Sequence, residues 1–99
     1  MIQQLKKFKE YASIEILLDK LIFFGSRAKG KFKKYSDVDL ILVSKEFKKL
    51  KFRKRATKMY DFWNLDYPVD FLCYTPEEFN KLKKQITIVK KAVEGGIEI

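Results

Sequence analysis

The sequence contains no histidine. This removes the commonest general base and the commonest zinc ligand, so acid–base chemistry must fall to carboxylates, lysine, tyrosine or cysteine. Cysteine occurs once, as Cys73. No internal disulfide can form, and its apolar surroundings read as those of a small buried side chain. No apolar run approaches the roughly 20 residues that cross a bilayer. The start, Met1-Ile2-Gln3-Gln4-Leu5-Lys6-Lys7, lacks the charged-then-apolar order of a signal peptide. A cytoplasmic location with no membrane contact is the expectation. Acidic residues are also few, 13 against 22 basic ones, which leaves a net charge of +9.

What is present fits one domain over residues 1–99. A chain of this size buries roughly 65% of its unfolded surface, enough for one core. Hydrophobic residues make up 46% and aromatics 15%, which excludes a disordered composition. The positive charge suggests polyanionic partners: nucleotides, RNA or an acidic protein. It is uneven, because residues 45–58 hold eight lysines and arginines against the single acid Glu46. That stretch reads equally as a solvated helix face. Only Phe47 and Phe52 interleave with its charges, too few for base stacking, so nucleic acid is not the favoured partner.

Apolar positions at Ile2, Leu5, Phe8, Ala12 and Ile16 predict an amphipathic helix over 2–18. Leu21-Ile22-Phe23-Phe24, ended by Gly25, reads as a buried strand. Residues 25–36 form a loop with room for one helical turn. Val38 and Leu40-Ile41-Leu42-Val43 form a second strand. Ser44 can cap a helix running to about Trp63, with Phe47, Leu50 and Tyr60 inward. Pro68 marks a break before a third strand, residues 69–74. Thr75-Pro76-Glu77-Glu78 is a helix start with a capping box and proline in the first turn. A break near Gln85 is expected, with Ile86, Val89 and Val93 continuing the helical spacing. Gly95-Gly96 stops that helix, and Ile97-Glu98-Ile99 can add an edge strand. The short first connection predicts antiparallel strands; the long second one predicts a parallel crossover. The fold class is α+β, a small mixed sheet with helices packed on it.

Three carboxylates stand where strands disfavour them. Asp37 and Asp39 open the second strand, and Asp70 lies in the third. Residues two apart on a strand share a face, so Asp37 and Asp39 project side by side. Asp70 reaches the same place if the third strand pairs with the second. Two like charges about 4 Å apart repel by about 4 kcal/mol at an effective dielectric of 20. Three call for protonation or a cation, and carboxylate oxygens at a nucleotide site favour Mg²⁺ or Mn²⁺. Taken singly, each has a blander reading: Asp37 as a turn cap, Asp39 facing water, Asp70 as an edge residue. The preceding loop adds to the pattern. Gly25 lets backbone approach a phosphate, and nearby N–H groups with the Ser26 hydroxyl can hold its oxygens.

The segment Gly25-Ser26-Arg27-Ala28-Lys29-Gly30, followed by Tyr35-Ser36-Asp37-Val38-Asp39-Leu40, resembles the signature of the minimal nucleotidyltransferases of the DNA polymerase beta-like superfamily. The resemblance extends through Val69-Asp70-Phe71-Leu72 and Tyr74 to Phe79, and again at Glu94-Gly95-Gly96-Ile97. It implies a nucleotidyltransferase fold and two-metal transfer of NMP from ATP or another NTP to a hydroxyl. Asp37 and Asp39 would bridge the metals, and Asp70 would ligate the second beside the attacking hydroxyl. Gly25 and Ser26 would hold the β- and γ-phosphates. Arg27 would add charge there, or be a solvated loop arginine; Gly30 sets a turn.

Members of this family are commonly encoded beside a small HEPN ribonuclease toxin and silence it by adenylylating a tyrosine. The resemblance therefore implies a HEPN toxin as partner and an antitoxin role. A chain of this length adds little to the transfer core, so the acceptor is expected on another protein. Homodimer and hetero-oligomer both stay open. Two other readings remain: a catalytically silent nucleotide- or protein-binding subunit that neutralises a partner, and a basic RNA-binding module.

Overall fold

The computed structural model describes residues 1–99. The elements are α1 (Ile2–Ala12), β1 (Lys20–Phe24), α2 (Gly25–Ala28), β2 (Val38–Val43), α3 (Phe52–Tyr60), β3 (Val69–Tyr74), α4 (Pro76–Leu82), α5 (Ile88–Gly95) and β4 (Ile97–Glu98), with a 3₁₀ turn at Lys45–Lys49 between β2 and α3. The sheet order is β3-β2-β1-β4. β1 runs antiparallel to both β2 and β4, and β2 runs parallel to β3. The α+β mixed sheet expected from the sequence is the one formed.

Strand alternation divides the core into two layers. Leu21, Phe23, Leu40, Leu42, Phe71 and Cys73 point to one face, where they meet Leu5 and Phe8 of α1 and Met59 of α3. Ile22, Phe24, Ile41, Val43 and Tyr74 point to the other, against Phe79 of α4 and Val89 and Ala92 of α5. β2 is covered on both sides, which explains its unbroken apolar run: Leu40, Ile41 and Leu42 are all fully buried. Odd-numbered positions of β2 and even-numbered positions of β3 share the α4–α5 side. Asp39 and Asp70 are the polar members of that set.

Several boundaries differ from the expected ones. α1 stops at Ala12 rather than continuing to residue 18. Ser13 ends it, because its hydroxyl accepts the Leu18 N–H at 3.3 Å and turns the chain toward β1. The helix expected from Ser44 to Trp63 is two pieces. Ser44 does cap the first, accepting the Glu46 N–H at 3.1 Å. Leu50 is then extended, with φ −113° and ψ 140°. The buried Arg55 holds this corner, its Nε donating to the Leu50 carbonyl at 3.3 Å. Phe47 is buried as expected, but Tyr60 is half exposed, its hydroxyl donating to the Val69 carbonyl at 2.9 Å.

The break near Gln85 is present. Thr87 caps α5 by accepting the Lys90 N–H, while its hydroxyl donates to the Leu82 carbonyl. This fresh start resets the helical phase. Val89 and Ala92 are buried, whereas Ile86 and Val93, which share the expected helical spacing with Val89, face solvent. The capping box at Thr75 and Glu78 forms as expected. No helix is long and apolar enough to cross a membrane.

Candidate active site

The site is assembled where β1 ends and β2 begins. Phe24 pairs with Asp39 across the antiparallel ladder, so the chain turns into α2 beside the Asp39 side chain. Gly25 makes that turn with φ +81°, a conformation that side chains disfavour. A β-carbon there would overlap Asp39 Oδ2. The backbone conformation thus favours glycine at position 25, and any side chain there would also displace the Asp39 carboxylate. Ser26 follows and is exposed to solvent.

Asp39 is level with Asp70 across the parallel β2–β3 ladder. Level residues in neighbouring strands project to the same face. Asp37 lies two residues before Asp39, exposed at the end of the loop. Asp39 and Asp70 therefore share the α4–α5 side of the sheet, and Asp37 stands just before β2 begins. Their proximity is legible in the acidity of Asp39. Burial pushes its carboxyl above the usual carboxylate range, and the charges of Asp70 and Asp37 push it further. No three carboxylates stand ready-placed around one point as metal ligands. The donor chemistry nonetheless suits a hard divalent cation, which would relieve the repulsion that Asp39 records.

Arg27 is engaged away from the carboxylates. Its Nε donates to the Ser36 carbonyl at 2.7 Å and its Nη2 to the Lys34 carbonyl at 3.2 Å. The guanidinium stands 4.6 Å from the Phe32 ring centre and 5.0 Å from that of Tyr67. It ties the loop that delivers Asp37 to the body of the domain. The Val38 N–H, donating to the Pro68 carbonyl at 2.8 Å, locks the register of β2 against β3 next to the site.

A cleft of about 250 Å³ opens beside these residues, lined by Phe24, Gly25, Lys29, Asp39, Ile88 and Lys91 among others. Larger hollows, about 340 and 410 Å³, lie along α1 and include none of the residues the sequence points to. Volume alone would choose the wrong one; Gly25 and Asp39 choose the cleft, while Ser26, Asp37 and Asp70 stand outside its lining. Ile88 and Lys91 are the additions the sequence reading missed. The available signal was their spacing of three on one helix, which aims both side chains the same way. Of the basic segment 45–58, Arg55 is buried and bonded to Glu78 at 2.6 Å, and Lys58 pairs with Glu15 at 3.0 Å. Part of that charge is thus spent inside the fold.

Comparison with known proteins places this geometry in a family. The family model for the nucleotidyltransferase domain matches residues 1–94. A Haemophilus influenzae protein named as the protein adenylyltransferase MntA is 33% identical, over 93% of this chain and 88% of its own. A Methanocaldococcus jannaschii protein, also named as a protein adenylyltransferase, is 34% identical over 70% of this chain and 72% of its own. A crystal structure of a Sulfolobus solfataricus protein named as a nucleotidyltransferase superposes with a TM-score of 0.67 at 22% identity, covering 99% of this chain and 78% of that one. A second such structure gives a TM-score of 0.50 at 21% identity, with 84% and 87% covered. These last two share the fold. With the domain match over nearly the whole chain and the acidic face set beside a glycine corner, the chain belongs to the nucleotidyltransferase domain family and is a nucleotidyltransferase.

Proposed function

We propose that the chain transfers an AMP unit from ATP, with Mg²⁺ or Mn²⁺, to a tyrosine hydroxyl of a HEPN-family toxin, and so acts as an antitoxin in the cytoplasm. The observation that carries the transfer is the placement of Asp39 level with Asp70, next to the bare backbone of Gly25. The names of the two relatives as protein adenylyltransferases support a protein acceptor.

Asp37, Asp39 and Asp70 would hold the cation. When bound, it would neutralise phosphate charge and lower the cost of forming the attacking phenoxide-like oxygen. The chain's own groups do the rest. Gly25 lets the phosphates approach the backbone, and the Ser26 hydroxyl donates to one of their oxygens. The acceptor oxygen attacks the α-phosphorus, and its proton passes to Asp70. The new P–O bond forms as the α–β bridging bond breaks, and pyrophosphate leaves with the electron pair. Arg27 braces the loop bearing Asp37 rather than touching phosphate. Its two carbonyl bonds and flanking rings support that role.

The test is mass spectrometry of the toxin after incubation with ATP, Mg²⁺ and this chain. The expected result is a gain of one or more AMP units on tyrosine, absent with Asp37→Asn or Asp39→Asn. A stable complex with no added mass under any NTP overturns the reading.

A further inference from the structure

We propose that Lys91 of α5 is a triphosphate-binding residue of the transfer site, working with Lys29 from the other wall of the cleft. The proposal rests on the reading that this cleft takes ATP.

Ile88, Lys91, Ala92 and Gly95 recur at helical intervals of three, four and seven, and all four border the cleft that contains Gly25 and Asp39. α5 is therefore a wall of the site as well as a cover for the sheet. Ala92 is buried against the sheet, and a β-carbon at Gly95 would meet nothing within 4 Å. The far part of that wall is thus low and open. Lys91 is the only charged side chain α5 contributes to it. Lys29, just past α2, enters from the glycine corner.

Charge gives these lysines their role. The ion pairs of the chain involve Lys20, Arg55 and Lys58, so neither Lys29 nor Lys91 has a carboxylate partner. The floor of the cleft carries Asp39, which stands level with Asp70 across the β2–β3 ladder and two residues after Asp37. A triphosphate entering such a site meets like charge and needs cationic groups that the floor lacks. A lysine ammonium on its four-carbon stem is a mobile point charge suited to phosphate oxygens. It can follow the β- and γ-phosphates as they depart together. Lys90, the preceding residue, does not border this cleft and serves as the internal control for simple loss of charge.

The experiment is calorimetric titration of wild type, Lys91→Ala, Lys91→Arg and Lys90→Ala with α,β-methylene ATP and Mg²⁺, with inorganic pyrophosphate as competitor. Lys91→Ala should weaken the analogue about tenfold or more, the scale of one lost charge-assisted hydrogen bond. Pyrophosphate competition should weaken in parallel. Lys91→Arg should restore most of the affinity, and Lys90→Ala should leave it near wild type. Thermal unfolding should be unchanged throughout, because the side chain is exposed. If Lys91→Ala binds like wild type, or loses no more than Lys90→Ala, the lysine is not a phosphate ligand while the ATP reading stands. A wild-type chain that binds no analogue overturns both.

Discussion

Gly25 sits so close to Asp39 that any side chain on it would overlap the Asp39 carboxylate. The glycine is also in a left-handed conformation, φ +81°. Gly25→Ala must therefore either push the carboxylate aside or shift the strand-to-helix corner. The expected cost is roughly 1–3 kcal/mol of stability from backbone strain and overlap. Nucleotidyl transfer should fall far more than that loss of folded protein explains. Chemical denaturation beside an activity assay on the folded fraction checks it; a variant with normal activity would show the corner to be merely structural.

Asp39 is expected to trade stability for function. Its carboxyl is held above the ordinary range by burial first, then by Asp70 and Asp37. The native state thus holds that proton more tightly than the unfolded chain does, so stability falls as pH rises through the native value. Above it, ionised Asp39 strains the fold. Asp39→Asn removes the charge at nearly constant shape. It should raise stability at neutral pH by about 0.5 kcal/mol, after allowing for the site's contact with solvent. Transfer should drop by about a hundredfold or more, as when a group acting on transition-state charge is removed. Melting curves without nucleotide and single-turnover rates test the two halves separately. A destabilised variant would show that the carboxylate is held by a favourable partner instead.

Much of this site is written locally. Apolar runs bounded by Gly25, Asp37 and Pro68 mark the strands, and a helix-length link between β2 and β3 requires a parallel pair. From those two facts Asp39 and Asp70 can share a face; the register that sets them level is supplied by the fold. What stayed hidden depends on contacts far apart in sequence. The corner at Leu50 is held by Arg55, and Arg55 in turn by Glu78, 23 residues away. A periodicity count over 45–63 cannot see that triangle. Likewise the inward face of α5 depends on where Thr87 restarts the helix. Once the phase is reset, Ile86 and Val93 leave the core and Lys91 enters the cleft wall.

Cys73 should be chemically silent in the folded protein. It lies on the α1–α3 side of β3, 3% exposed. Burial pushes its thiol up to about 12, even though the nearby Arg55 charge pulls the other way. Thiolate is the reactive form, so almost none is present at neutral or mildly alkaline pH. Alkylation by iodoacetamide should be negligible in native buffer and complete in denaturant. Fast native labelling would mean that β3 opens on the labelling timescale.

Arg55 and Glu78 make the acid limit of stability predictable. The guanidinium is almost fully buried and also donates to the carbonyls of Leu50 and Cys73, while the carboxylate is partly open to water. Burial alone raises the Glu78 carboxyl. The hydrogen bond from Arg55, that from the Thr75 N–H and the Arg55 charge together outweigh burial and hold it below 4.5. A carboxyl depressed in the native state contributes stability that is present above its unfolded value and is lost as pH falls through the native one. Glu78→Gln keeps the shape and one acceptor for Thr75 but leaves the Arg55 charge without a counter-ion. The expected cost at neutral pH is about 1–3 kcal/mol, below the range for a fully buried pair because Glu78 is partly solvated. Urea unfolding of both proteins from neutrality down to about pH 3 should show the gap closing as pH falls below the ordinary glutamate range, where first the unfolded chain and then the native carboxyl takes up its proton. A gap of constant size across that range would mean that Glu78 acts through its capping geometry, with its charge contributing nothing.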